Sequence, residues 1–61
     1  MFITINDCRN GNEHFINLNH IAQIKQEKDL YVIELNDYDG SLIHIDKDTY
    51  TSIKRILERM G

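Results

Sequence analysis

Three turn signals, Asn10-Gly11, Lys28-Asp29 and Tyr38-Asp39-Gly40, divide the first 45 residues into short runs whose aliphatic side chains recur at every second position. That period belongs to strands with one buried face, and turns this short join antiparallel neighbours. The chain therefore reads as hairpins laid side by side in a single sheet. Asn-Gly suits a two-residue type I′ loop, because Asn tolerates and Gly freely adopts the positive φ required. In that register Ile5 lies opposite Ile16 and Ile3 opposite Leu18, while Phe2, Thr4, Phe15 and Asn17 point the other way.

Strands are expected at about 2–7, 13–18, 21–26, 30–36 and 41–45. A two-residue loop at Lys28-Asp29 sets Ile24 against Ile33 and Ala22 against Leu35, with a four-residue turn over 26–29 as the competing arrangement. A three-residue loop, Tyr38-Asp39-Gly40, pairs Leu35 with Ile43 and Ile33 with Ile45 and puts Gly40 at positive φ. A two-residue loop there would oppose Leu35 with His44 and mix the faces. After Ile45 the period lengthens to 3.6, and Tyr50, Ile53, Ile56, Leu57 and Met60 form one stripe of a helix over about 47–59. Asp46 or Asp48 is the N-cap candidate, and Gly61 stands past the last turn. The expected fold is α+β, an antiparallel meander of four to five strands with one C-terminal amphipathic helix on one face, all in a single domain over 1–61. Ile3, Ile5, Ile16, Leu18, Ala22 and Ile24 are expected in the core from the first three strands, Tyr31, Ile33, Leu35, Ile43 and Ile45 from the last two, and Tyr50, Ile53, Leu57 and Met60 from the helix.

A chain of 61 residues buries only about 60% of its unfolded surface, so burial against a partner would add usefully to its stability. It has no Pro or Trp, and the single Cys8 excludes an internal disulfide. A reducing cytoplasm is the expected setting. The opening Met1-Phe2-Ile3-Thr4-Ile5-Asn6 lacks the basic start and long apolar core of a signal peptide. No run approaches the ~20 apolar residues of a membrane span, so no membrane insertion is expected. The net charge of −3 is unevenly spread. Residues 47–59 hold four basic and two acidic side chains, +2, and the remainder holds three basic and eight acidic, −5. Frequent Asn, Ile, Lys and Asp fit an AT-rich bacterial, phage or mobile-element genome.

Few residues invite chemistry. Asp37-Tyr38-Asp39-Gly40 followed by Asp46 has the outline of a calcium loop, but aligning Gly40 with the loop glycine puts Leu35 where the first oxygen ligand is needed. His14, His20 and His44 lack any metal-ligand spacing, and in the register above His44 lies opposite Glu34 on the outer face. Cys8 has neither a helix N-terminus nor an oriented base beside it. No catalytic residue, metal or cofactor is expected, and the chain reads as a non-enzyme. The outer sheet face is more unusual, because Phe2, Phe15, Leu30, Val32 and Leu42 all point away from the helix and would form an apolar patch. These five are the candidate interface with another protein or a second copy, and the expected function is a homo-oligomeric interaction module that modulates a larger protein or assembly. The alternative is a small nucleic-acid-binding regulator using Lys54, Arg55 and Arg59 on the solvent face of the helix.

The succession of a strand, an Asn-Gly turn, Phe15-Ile16-Asn17-Leu18-Asn19-His20-Ile21-Ala22-Gln23-Ile24, Tyr31-Val32-Ile33-Glu34-Leu35, Asp39-Gly40, Ile43-His44-Ile45 and a closing amphipathic helix resembles the small flagellar-motility proteins of the FlbD/SwrD type over nearly the whole chain. That resemblance implies a non-enzymatic accessory of motility. Phe15 to Ile45 is also similar to the core of LytTR-type DNA-binding domains. Those domains are longer and bind through basic loops, which this chain lacks.

Overall fold

A computed structural model describes residues 1–37 and 39–60, which form five strands, a short 3-10 turn and one α-helix. In chain order these are β1 (Phe2–Asn6), β2 (Glu13–Asn17), the 3-10 turn Leu18–His20, β3 (Ile21–Glu27), β4 (Leu30–Leu35), β5 (Leu42–Ile45) and α1 (Lys47–Met60). The architecture is the α+β arrangement expected, all antiparallel, with one C-terminal helix. The strands do not make one sheet. β1 and β2 form a two-stranded sheet, and β3, β4 and β5 a three-stranded one with β4 in the middle. The break falls at the 3-10 turn, where Asn17 Oδ1 accepts the Asn19 N–H (3.0 Å) and the chain leaves the extended conformation.

The first hairpin is shifted by two residues from the expected register, with Ile3 opposite Ile16 and Ile5 opposite His14. Its loop is longer than Asn10-Gly11. Asp7 N–H donates to the Asn12 carbonyl (2.8 Å), Gly11 N–H returns to the Asp7 carbonyl (2.7 Å), and Asp7 Oδ1 takes the Arg9 N–H (2.8 Å). Gly11 alone in this loop has positive φ (75°), so no type I′ turn forms. The Asx-type bond of Asp7 sets the geometry that Asn-Gly was expected to set. A two-residue shift preserves every side chain's face. Ile3, Ile5 and Ile16 therefore still point inward, while Leu18 is buried from the 3-10 turn.

The second hairpin turns at Lys28-Asp29 as expected and sets Ile24 opposite Ile33. Lys28 carries the positive φ (49°). A bulge between Ile21 and Gln23 places Ile21, not Ala22, opposite Leu35 and leaves Ala22 exposed. The third hairpin pairs Ile33 with Ile43 and Tyr31 with Ile45, again two residues from expectation. Leu35 N–H donates to the Ser41 carbonyl (2.9 Å), so the loop spans 36–40 rather than three residues, and Asp37 Oδ1 accepts the Ser41 N–H (2.9 Å) inside it. Gly40 has positive φ (61°), as expected. Tyr38 of that turn and Gly61 after the helix lie outside the described residues.

Asp46, not Asp48, caps α1, its Oδ1 accepting the Thr49 N–H at 2.8 Å. The core joins Ile5, Ile16, Leu18, Ile33, Ile43, Ile45 and Ile53, flanked by half-buried Ile21 and Ile56 that the core expected from sequence omits. Tyr50 lies flat on Tyr31, ring centroids 3.8 Å apart and planes 3° from parallel, and so seats the helix on the central strand. Met60 is exposed rather than buried. No helix among the described residues is long and apolar enough to cross a membrane.

Candidate protein-interaction surface

Phe2 and Phe15 sit diagonally on the outer face of β1–β2, because Phe2 lies opposite Asn17 and Phe15 opposite Thr4. Their rings stack with centroids 5.1 Å apart and planes 20° from parallel, yet remain 56% and 71% exposed. A cleft beside them is lined by Ile16, Asn17, His20, Leu35 and Asp37, which places the aromatic pair at the seam between the two sheets.

The other three candidates lie on the second sheet and do not join that pair into one patch. Leu42 is 53% exposed and Leu30 half-buried, but Val32 is only 3% exposed. Val32 faces His44 across the β4–β5 ladder, and Glu34, expected opposite His44, faces Leu42 instead and hydrogen-bonds Gln23. The first hairpin loop comes against His44, the residue opposite Val32. Arg9 and His44 line one cleft with Leu42 and a second with Leu30, so the two residues stand between the exposed leucines.

Asp7 holds that loop in place. It is buried (4% exposed), screened by its own loop rather than by depth, and it binds across both sheets. Besides the Arg9 N–H on Oδ1, its Oδ2 accepts the His44 N–H (3.3 Å), while Cys8 N–H donates to the His44 carbonyl (2.8 Å). Arg9 Nη1 approaches His44 Nε2 at 3.2 Å, and His44 Nδ1 lies 4.0 Å from Asp7 Oδ2. Burial would raise the Asp7 carboxyl, but the Arg9 and His44 amides, with the nearby His44 and His14 side chains, outweigh it and hold the group below the ordinary aspartate value. Asp, His and Arg side chains thus converge at an open cleft, where the geometry ties the sheets together. Sequence reading missed this cluster. Its one signal is an Asp two residues before an Arg at a turn, an Asx-turn pattern that names no distant partner.

His14 faces Ile5 on β2 and His20 ends the 3-10 turn, so the structure does not bring the three histidines together with exposed Cys8. Among the described residues no three His, Cys, Asp or Glu side chains converge as metal ligands do. Lys54, Arg55 and Arg59 are all exposed on α1, and Lys54 Nζ lies 6.0 Å from the Tyr50 ring centroid. No protein-family model, curated protein or solved structure matches the chain.

Proposed function

We propose that this chain is a non-catalytic, homo-oligomeric protein-interaction module that binds and modulates a larger protein or assembly through the outer face of its first hairpin. The observation that carries this reading is the Phe2–Phe15 stack, two large rings ordered against each other but open to water. Aromatic side chains offer large contact area at little cost in conformational entropy and are enriched where proteins meet. Leu42 supplies a second apolar point, whereas buried Val32 belongs to the fold and not to the interface. The FlbD/SwrD resemblance would place the partner in the motility apparatus. The reading is tested with Phe15→Glu and Leu42→Glu, both at exposed positions, by cross-linked capture from the native cell followed by mass spectrometry. Both variants should unfold at the parent temperature and Phe15→Glu should lose a protein that the parent captures; an unchanged capture profile in both overturns the reading. The nucleic-acid alternative rests on exposed Lys54, Arg55 and Arg59. It requires DNA or RNA binding that weakens steeply with salt and is lost on Arg55→Ala.

A further inference from the structure

The outer edge of β2 is where backbone bonding is left open. Leu18 N–H donates to the Met1 carbonyl (2.9 Å) and Asp7 N–H to the Asn12 carbonyl (2.8 Å), so Met1–Leu18 and Asp7–Asn12 are bonded pairs of the β1–β2 ladder. Bonded and non-bonded pairs alternate in an antiparallel ladder, which makes Ile3–Ile16 and Ile5–His14 bonded and puts Glu13, Phe15 and Asn17 at the non-bonded positions. Their N–H and C=O groups point away from β1. Among the described residues no other strand pairs with them.

Two of the other margins are guarded. β3 carries the bulge at Ala22 and Lys25, and β5 receives the Cys8 N–H; β1 leaves Phe2, Thr4 and Asn6 open by the same alternation, but Phe15 on β2 is the more exposed of the two stacked rings. β2 has no Pro, Lys or bulge, the devices by which proteins blunt an exposed edge.

We propose that β2 pairs with β2 of a second copy of this chain, antiparallel about a two-fold axis at Phe15, fusing the two hairpins into one four-stranded sheet. The proposal rests on the interaction-module reading and names its partner. The two-fold sets Phe15 opposite its own copy, so the aromatic pairs of both chains form one row and cover a ring that is otherwise 71% exposed. It also sets Glu13 opposite the second chain's Asn17. Asn17 uses Oδ1 on the Asn19 N–H, which leaves its amide N–H groups free to donate to that carboxylate. A two-fold at Glu13 would instead oppose like charges. Asp37, which lines the cleft at the Asn17 end together with His20, keeps its own carboxylate on the Ser41 N–H. A five-residue edge falls short of the ~1,600 Å² of a standard interface, so the dimer is weak.

Sedimentation of the full chain from about 5 to 500 micromolar tests this, a range that brackets the weak association expected of a small interface. The wild type should shift from monomer to dimer. Asn17→Asp keeps the acceptor for Asn19 but puts a carboxylate against Glu13 at two symmetric places, and should raise the dissociation constant roughly 2- to 30-fold. Combining it with Glu13→Lys makes both contacts attractive and should restore the wild-type constant or better, a rescue that a merely structural role of Asn17 would not produce. A wild type monomeric throughout, a dimer indifferent to Asn17→Asp, or a double variant without rescue overturns the proposal. Failure of the broader reading looks different. A monomer from which Phe15→Glu removes a cellular partner refutes the dimer, and with it the homo-oligomeric part of the reading, but leaves the outside partner standing, whereas a rescued dimer with unchanged capture refutes the outside partner alone.

Discussion

Replacing Asp7 with Ala should cost this chain a large part of its stability. The carboxylate accepts two backbone N–H groups, Arg9 at 2.8 Å and His44 at 3.3 Å, and it is 4% exposed, so its removal takes the charged partner from both donors. A hydrogen bond to a charged group contributes roughly 1.5–3 kcal/mol and a long, weaker one roughly 0.5–1 kcal/mol, giving about 2–4 kcal/mol for the pair. A chain of 61 residues has about 3–9 kcal/mol in all. Urea unfolding at neutral pH should therefore show a much lower midpoint for Asp7→Ala. The pH dependence has a definite sign. Asp7 is held below its ordinary value in the folded chain, so its contribution is complete above the unfolded carboxyl's pKa and is lost as pH falls through the folded one. The gap between wild type and variant should close in acid. A neutral-pH difference under about 0.5 kcal/mol, the usual effect of an ordinary surface change, or a gap that persists unchanged in acid, would refute the account.

Two further outcomes follow from backbone and burial. Gly40→Val should destabilise by about 1–2 kcal/mol in urea unfolding through the positive φ alone, since a Cβ at that position meets no atom within 4 Å; a variant as stable as the parent would show that the loop relaxes freely. Val32→Glu should abolish the cooperative thermal transition, because it buries an unpaired carboxylate, while Phe15→Glu and Leu42→Glu should melt with the parent; equal melting of all three would place Val32 at the surface.

Side-chain faces were legible in the sequence to a degree that strand registers were not. Alternation at period two assigns Ile3, Ile5, Ile16, Ile33, Ile43 and Ile45 to the inner face, and any even shift leaves that assignment unchanged. Both misplaced hairpins were displaced by two residues, because Asp7 and Asp37 enlarge their loops by capturing the amides of Arg9 and Ser41. Asp capture is a competition among neighbouring groups that hydrophobic pattern does not encode. The Lys28-Asp29 turn and the Asp46 cap were readable because each depends only on residues a few positions apart. Val32 was placed outward, which is the correct face of β4. Its burial was invisible because alternation assigns a face and not what covers it, and the loop that binds His44 opposite it, through a Cys8–His44 bond and an Asp7 anchor spanning 37 positions, comes from far along the chain. The same distance hid the Asp7–Arg9–His44 cluster and the division of the outer apolar patch.

The Tyr31–Tyr50 stack makes the helix-to-sheet seam optically addressable. The chain has three tyrosines and no tryptophan, and two of the three lie face to face across that seam. Coupled transitions of such a pair give a near-ultraviolet circular dichroism signal that depends on the rings keeping their mutual orientation, whereas the far-ultraviolet signal follows the backbone of each element separately. Loss of the first with retention of the second would mark a state in which α1 is still wound but has come away from β4. Undocking of the helix can thus be followed without a label, distinct from its melting.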